Sequence, residues 1–306
     1  MEPSSNTTTQ EATWSPPYLA ASGYVAVRSP TALSWWHFAN PLQMLHTLIR
    51  QRTLIRQFTI REVRGRYQGS VLGILWSFLI PIGMLVSYTF VFRFVLKAGS
   101  YRASDQSALE FGLSLFTGLL IFNLCSEAVT RAPALILSHP NFVKKVVFPL
   151  EILPVTTVLS SLVHILASLL IVMIVSACIS GQLGWQALWF PVILLPYLCF
   201  IIGATWFLAS LGVFLRDLGP AVAIFMQLLI FLSPVFYPLE RVPESLQTLM
   251  QLNPLAVVVE NGRRVLLWNT PPSMPALATM ALLSIVVMQA GYTWFMKSKR
   301  AFADVV

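Results

Sequence analysis

A 64-residue run without Asp, Glu, Lys or Arg decides the fold of this chain. It extends from Ile152 to Leu215 and reads ILPVTTVLSSLVHILASLLIVMIVSACISGQLGWQALWFPVILLPYLCFIIGATWFLASLGVFL. A membrane-spanning α-helix needs about 20 consecutive apolar residues to cross roughly 30 Å of hydrocarbon. The run is long enough for two such helices, and the segment Gly181–Trp185 (GQLGW) supplies a short turn between them. We therefore predict one span before this turn and one after it.

Four further apolar runs extend the same pattern along the chain. They are Val71–Phe92, Phe111–Ser126, Leu218–Leu239 and Met274–Met296. A transmembrane β-barrel would instead show alternating strands of about ten residues, which these runs lack. The sequence predicts an all-α integral membrane protein with six transmembrane helices, the fifth of them within Leu218–Leu239.

The composition supports this class. Of the 306 residues, 56% are hydrophobic and only 10% are charged, whereas soluble domains carry about 25% charged residues. The three cysteines, Cys125, Cys178 and Cys199, all fall in predicted spans. An odd number of cysteines at membrane depth argues against a disulfide framework.

The distribution of basic residues predicts the orientation. With an even number of spans both termini lie on one side, and fourteen of the 20 Lys and Arg residues then fall on that side. Cytoplasmic loops of membrane proteins carry the excess of positive charge, so we expect both termini in the cytoplasm. The net charge of +8 is matched by anionic lipid headgroups and requires no nucleic acid.

The residues before the first span divide into two parts. Residues 1–40 are rich in Ser, Thr, Pro and Ala, and we expect a poorly ordered cytoplasmic tail. Residues 41–70 place apolar side chains near helical spacing among arginines, which is typical of an amphipathic helix in the membrane interface. An ordinary juxtamembrane connector remains an alternative. Residues 71–306 then form the six-span domain.

Three glycines, Gly65, Gly69 and Gly73, recur at intervals of four where the first span begins. Such a ridge allows two helices to approach closely, but a tight turn between an interfacial helix and a spanning helix would use the first of these glycines, Gly65, equally well. Both interpretations stay open.

Two loops are too long to be simple turns. The cytoplasmic loop 132–150 contains His139-Pro140-Asn141 and the pair Lys144-Lys145. The outer loop 240–272 contains an amphipathic stretch, Glu244–Val259, interrupted at Asn253-Pro254. We predict a partly re-entrant outer helical pair between spans five and six.

Several kinds of chemistry lack their sequence signatures. The Walker A pattern G-x-x-x-x-G-K-[ST] does not occur, so we expect no P-loop ATP site in this chain. No metal-ligand spacing occurs either, and His164 is the only histidine within a predicted span. Glu127 and Arg131, four residues apart on one helix, are expected to pair. These patterns favour neither a proton-driven carrier nor a membrane-embedded enzyme.

Five segments together resemble the type-2 ABC export permeases, especially those that move O-antigen, capsule and teichoic-acid polymers. The resemblance covers roughly residues 42–306. The matching segments are Arg61–Trp76 (REVRGRYQGSVLGILW) with Pro81, Asn141–Lys145 (NFVKK) with Phe148–Pro154 (FPLEILP), Arg216–Leu218 (RDL), Ser233–Pro238 (SPVFYP) with Asn253-Pro254, and the tail Phe302–Val306 (FADVV).

The resemblance implies a homodimeric permease in the bacterial cytoplasmic (inner) membrane, bound to two copies of a separate ABC ATPase subunit. ATP and Mg would be bound by that partner, with no cofactor in this chain. The cargo would be a polyprenyl-diphosphate-linked glycan, and its diphosphate would meet basic residues at the cytoplasmic entrance. The candidates there are Arg61, Arg64 and Arg66.

The same resemblance places a coupling helix around Leu137–Val147, docked on the ATPase. The candidate coupling residues are Leu137, Asn141, Phe142, Lys144 and Lys145. The two lysines could alternatively serve only the positive-inside asymmetry.

A polymer longer than the membrane is thick needs a continuous channel, and sugar rings pack their C–H faces on aromatic rings. The candidate channel-lining aromatics are Trp76, Phe78, Tyr88, Phe231, Phe236 and Tyr237. Aromatics in membrane proteins also pack in the core or form interfacial belts. A type-2 ABC permease for a small drug or lipid, and a membrane glycosyltransferase of the cell envelope, are the competing functions.

Overall fold

The computed structural model describes residues 40–95, 108–144, 148–180, 184–239 and 253–305, with residues 242, 243, 245, 247 and 250. The predicted tail, apart from Asn40, lies outside the described residues, as do Lys145 and most of the stretch between Glu244 and Asn253.

The regular elements of the described part are helical, without a strand among them, which confirms the all-α prediction. The longer helices, numbered in chain order, are α1 (Pro41–Arg50), α2 (Arg52–Tyr67), α3 (Trp76–Thr89), α4 (Ala108–Arg131), α5 (Ile152–Ser180), α6 (Phe190–Phe214), α7 (Leu218–Phe231), α8 (Pro254–Leu266) and α9 (Met274–Ser298). A π-helical segment, Phe90–Val95, continues α3, and single helical turns lie at Pro140–Val143 and Phe302–Val305.

Five helical segments of the described chain are long and apolar enough to cross a membrane. They are Trp76–Val95, Ala108–Ala134, Ile152–Ile179, Trp185–Phe214 and Met274–Val305. The uncharged run that decided the fold thus contains two spanning helices, as predicted, and residues 181–183 of the predicted turn between them lie outside the described residues.

The predicted fifth span is shorter than expected. Helix α7 has 14 residues, so at 1.5 Å per residue it measures about 21 Å, less than the roughly 30 Å of a hydrocarbon core. The helix ends because Pro234 donates no backbone hydrogen bond and disfavours a helical residue before it. The apolar run continues to Leu239, but the helix does not.

Helix α4 is the centre of the bundle. In its most apolar stretch 78% of the residues are buried, against 17 to 39% in the other spanning segments. It contacts α3, α5, α6, α7 and α8. Two of its small residues allow this packing: Gly112 lies against the Thr89 side chain, and Gly118 lies against the backbone of Val235.

The closest helix crossing joins α6 and α9. A Cβ at Gly203 would lie 2.6 Å from the backbone nitrogen of Met288, and a Cβ at Gly291 would collide with the carbonyl of Gly203. Small residues at a crossing let two backbones touch, as is common between membrane helices. This crossing was not recognised in the sequence.

Two of the three glycines near the first span, Gly69 and Gly73, lie in the turn, whereas Gly65, the glycine for which the turn was predicted, lies within α2. Gly69 and Gly73 adopt φ values of +85° and +51°, which side chains other than glycine rarely adopt. They lie between α2 and α3, and a Cβ at any of the three, Gly65 included, would have no neighbour within 4 Å in the described chain. The close-packing interpretation therefore finds no partner helix here.

The predicted interface helix is present as two helices with a break at Gln51. Asn40 begins α1, because its side chain accepts a hydrogen bond of 2.9 Å from the amide of Leu42, a typical N-cap. Leu42, Leu45 and Ile49 leave an apolar face of α1 exposed, whereas α2 packs against α5. The location of α1 in a membrane interface remains a prediction.

Candidate functional site

The loop after α4 carries the predicted coupling residues. Its first residues are held by the bundle, since Ala132 and Ile136 are fully buried and the Pro133 backbone lies directly against Gly212 of α6. Beyond this anchor, Leu137 is 37% exposed, and Asn141 and Lys144 are exposed on the helical turn Pro140–Val143. Among the described residues these three form an outward surface on a rigid base.

Phe142 points differently from the other coupling candidates. Its ring stacks on Phe148 with centroids 4.4 Å apart and on His139 at 5.6 Å. Phe58 of α2 meets Phe142 at 5.6 Å and Phe148 at 5.5 Å. We call Phe58, His139, Phe142 and Phe148 the aromatic junction. It joins the coupling loop to α2, so Phe142 contacts its own chain, and its predicted contact with an ATPase stays a prediction.

The three candidate entrance arginines occupy two environments. Arg61 and Arg64 are exposed on α2. Arg66 instead forms an ion pair with Glu127 of α4. It is therefore less available to a ligand than Arg61 and Arg64.

An ion network of four residues joins α2 to α4. The predicted pair of Glu127 and Arg131 is confirmed, with an N–O distance of 3.6 Å, and Arg131 also pairs with Glu62. Arg66 completes the network through Glu127. The residues are partly solvent-accessible, and ion pairs at the surface contribute only about 0 to 1 kcal/mol each, so the main effect of the network is on the relative orientation of α2 and α4. Sequence reasoning missed the links to α2, although Glu62 and Arg66 also have helical spacing.

A second ion pair closes the bundle beside the C-terminal end of α9. Lys299 donates to the carboxylate of Glu151 over 2.6 Å, and Trp206 donates its indole N–H to the Glu151 carbonyl over 2.9 Å. Glu151 is buried, and a buried carboxylate without a partner is strongly destabilising. Lys299 therefore stabilises the fold through this ion pair.

Most of the predicted channel aromatics gather at one end of α3 and α7. Phe236 stacks on Phe92 with centroids 5.3 Å apart and meets Phe231 at 5.6 Å, and Tyr88 lies 6.5 Å from Phe92. The Tyr237 hydroxyl donates to the carbonyl of Phe231 over 2.9 Å. We call these five residues the outer aromatic cluster, because the predicted topology places them toward the outer side.

Trp76 and Phe78 do not join the outer aromatic cluster. They lie near the start of α3, twelve and ten residues before Tyr88, which corresponds to about 15 to 18 Å along the helix. Trp76 is 43% exposed. The six aromatic candidates therefore fall into two groups, which lie near opposite ends of α3.

Arg263 on α8 holds the backbone beside the outer aromatic cluster. It is fully buried, and its guanidinium donates to the carbonyls of Ser114, Pro234 and Val235 over 2.9, 2.7 and 2.7 Å. The segment after α7 is not helical, so its carbonyls need partners other than a helix ladder. The guanidinium supplies these donors.

Two neighbouring residues, Gly118 and Asn253, help to form the Arg263 site. Gly118 leaves room for the guanidinium, because a Cβ there would lie 2.8 Å from its Nη2. Asn253 donates to the Ser233 hydroxyl over 3.1 Å and caps α8 at the amide of Leu255. From the sequence, Arg263 was placed only within the outer loop 240–272 and was given no role. Helix α8 also carries Glu260, Asn261 and Arg264, so no local signal distinguished Arg263 from its polar neighbours.

Comparison with known proteins identifies the family. Residues 53–267 match the ABC-2 type transporter family. The O-antigen export system permease protein RfbA of Myxococcus xanthus is 28% identical over 267 residues, covering 87% of this chain and 100% of the relative. RfbA of Klebsiella pneumoniae is 24% identical over 268 residues, covering 87% and 99%.

A relative named for a different transported polymer is also similar over most of its length. The polysialic acid transport protein KpsM of Escherichia coli is 22% identical over 257 residues, covering 82% of this chain and 95% of the relative. The family match and the multi-pass helical fold agree with the segments that carried the resemblance. This chain belongs to the ABC-2 type transporter family, as a permease homologous to the permeases of O-antigen and capsular polysaccharide export.

Proposed function

We propose that this chain is the transmembrane subunit of an ABC transporter that exports a lipid-linked polysaccharide, O-antigen in the first instance, across the bacterial inner membrane. The observation that carries the proposal is similarity along the whole length of an O-antigen export permease, 100% of which is covered. A separate ATPase subunit, two copies per homodimer, would bind ATP and Mg and supply the energy.

The proposed route for this energy begins at the outward surface of the coupling loop. Leu137, Asn141 and Lys144 would dock on the ATPase, since they are exposed above a buried base. The aromatic junction would pass the resulting movement to α2, because rings packed with centroids 4.4 to 5.6 Å apart move together. The network of Arg66, Glu127 and Arg131 would keep α2 and α4 aligned during this movement.

The proposed topology has six spans with both termini in the cytoplasm. Irregular backbone at membrane depth is tolerated where it is buried in protein, and Arg263 supplies the buried partners for the carbonyls of Pro234 and Val235. Helix α7 and the segment after it would therefore cross as the fifth span. Helix α8, packed against α4 and α6, would be the described part of the re-entrant outer pair.

The proposed path of the glycan follows from the same orientation. Arg61 and Arg64 would attract the diphosphate of the carrier lipid at the cytoplasmic entrance, since charged groups steer charged ligands. The outer aromatic cluster would offer apolar ring faces to sugars near the exit. The exposed side chains Ile224, Phe225, Leu228 and Phe231 of α7 would pack against the second permease subunit, beside the channel.

The test is complementation of a bacterial strain that lacks an O-antigen export permease but retains the ATPase and the glycan-synthesis enzymes. The wild-type chain should restore surface O-antigen, measured by gel analysis of lipopolysaccharide. A variant with Leu137→Glu and Lys144→Glu should fail, and its co-purification with the ATPase should be lost. The control is Arg300→Glu, an exposed reversal far from the coupling loop in sequence, which should export normally.

Three outcomes would contradict the proposal. If the chain binds no ATPase in lipid, the exporter hypothesis fails. If it binds the ATPase but stimulates turnover with a small drug or lipid and restores no glycan, the cargo is wrong. If the Leu137→Glu and Lys144→Glu variant still binds and exports normally, the coupling surface is wrong although the function stands.

A further inference from the structure

A groove on the outward face of α9 is not used by the proposed transport cycle. Its volume is about 600 Å³, and it is lined by one helical face of α9 and by Pro41 at the start of α1. This volume falls within the usual range of about 300 to 1,000 Å³ for small-molecule sites. The residues of α9 that line it are Ile285, Val286, Gln289, Ala290, Thr293, Trp294 and Lys297.

The groove changes character along its length. Ile285 and Val286 at one end are apolar and more than half exposed. Gln289 and Thr293 follow, joined by a side-chain hydrogen bond of 3.3 Å, and Lys297 lies at the other end. From Ile285 to Lys297 the helix rises about 18 Å, which is close to the depth of one leaflet including part of its headgroup region.

The order of apolar, polar and basic surfaces along the groove matches the order of the acyl chain, glycerol esters and phosphate in a phospholipid. An acyl chain packs on Ile285 and Val286, the glycerol esters meet the polar Gln289 and Thr293, and a phosphate meets Lys297. Trp294, 43% exposed beside the groove, is of the residue type that membrane proteins place at headgroup level. Lysines near helix ends extend their ammonium groups to the same level.

Among the described residues that line the groove, Lys297 carries the positive charge. Among the described residues, no ion pair involves Lys297, whereas the neighbouring Lys299 is committed to Glu151. One ammonium group complements a phosphodiester with a single negative charge. The diphosphate of a polyprenyl carrier would call for more positive charge, of the kind that Arg61 and Arg64 offer elsewhere.

We propose that the groove between α9 and the start of α1 binds one anionic glycerophospholipid, with its phosphate on Lys297 and an acyl chain along Ile285, Val286 and Ala290. The bound lipid would secure α1 against the bundle, since Pro41 forms the wall opposite α9. The inference requires only that α9 spans the bilayer, so its failure would leave the export proposal untouched.

The test is native mass spectrometry of the full-length permease in detergent, titrated with dioleoyl-phosphatidylglycerol and, separately, dioleoyl-phosphatidylcholine. The wild type should bind phosphatidylglycerol more tightly than phosphatidylcholine. Lys297→Gln should weaken phosphatidylglycerol about fivefold, since one basic residue near anionic lipid contributes about 1 kcal/mol, and should leave phosphatidylcholine unchanged. Arg300→Gln, exposed but outside the groove, is the matched control and should stay within twofold.

A second variant tests the apolar part of the groove. Ala290→Trp should fill it and weaken both lipids at least tenfold, while Leu282→Trp, at an exposed position of α9 outside the groove, should change neither. Variants are compared only after each elutes as a single species in size-exclusion chromatography. Lys297→Gln alters an exposed side chain, so it keeps the test valid if Ala290→Trp does not fold.

Three results would overturn the assignment. Equal binding of both lipids by the wild type, with no effect of Lys297→Gln, would exclude a phosphate on this lysine. Preferential, Lys297-dependent binding of undecaprenyl phosphate over phosphatidylglycerol would make the carrier lipid the occupant. A disulfide between two copies of Ala290→Cys in native membranes, in a background without the three native cysteines, would show that a second subunit covers the groove.

Discussion

The buried guanidinium of Arg263 makes the sharpest prediction about stability. In Arg263→Met the apolar stem is largely retained, but the carbonyls of Ser114, Pro234 and Val235 lose their donor. Hydrogen bonds to charged groups contribute about 1.5 to 3 kcal/mol each, and a buried group left unsatisfied costs about 1 to 3 kcal/mol. The gain from no longer burying a charge offsets part of this.

The expected net loss is therefore about 3 to 5 kcal/mol, which is the loss summed over the three contacts and reduced by the relief of no longer burying a charge. For a protein of this size each kcal/mol lowers the unfolding midpoint by about 2 to 4 °C. We expect Arg263→Met to unfold at least about 6 °C below the wild type. Arg263→Lys should recover only part of the loss, because an ammonium group lacks the planar fork that reaches three carbonyls.

The assay is thermal unfolding in mild detergent, followed by intrinsic tryptophan fluorescence. The matched control is Arg264→Met, since the neighbouring arginine is only partly buried and donates to a single carbonyl among the described contacts, that of Pro271, over 3.1 Å. It should stay within about 0.5 kcal/mol of the wild type. If Arg263→Met and Arg264→Met unfold at the same temperature, the three carbonyl contacts do not stabilise the segment after α7.

Three further predictions follow from the packing. Phe142→Ala should leave ATPase binding intact but lower transport-linked ATP turnover severalfold, because it breaks the aromatic junction. Unchanged turnover in proteoliposomes would contradict this. The control is Leu188→Ala, at an exposed position. Gly203→Val should abolish folded protein in fluorescence-detected size exclusion, because a Cβ lies 2.6 Å from Met288, whereas Gly219→Val, with open space around it, should yield normal material. Lys299→Met should destabilise by about 3 to 5 kcal/mol, because it leaves the buried Glu151 carboxylate unpaired, and Glu151→Gln should destabilise by about 1 to 3 kcal/mol. The double variant should lose less than the sum; strict additivity in unfolding midpoints would exclude the pair.

Part of the candidate site was readable before the structure. The loop 132–150 was located by its length and its predicted coupling role by the resemblance, the pair of Glu127 and Arg131 by its helical spacing, and most of the outer aromatics by their position in apolar runs. Each of these signals lies within about one helix, where periodicity and length are enough. The role of Phe142 was not readable, because its partner Phe58 is on a helix distant in sequence.

The sequence by itself determined the class of this protein and the approximate places of its spans. Hydrocarbon admits only long stretches of apolar residues, so length and charge suffice to recognise them. Only the tertiary structure decided how the breaks between helices are stabilised. Where α7 ends before Pro234, the freed carbonyls must find donors inside the protein, and Arg263 reaches them and Ser114, 149 residues away. Local patterns cannot encode a partner that folding alone brings near.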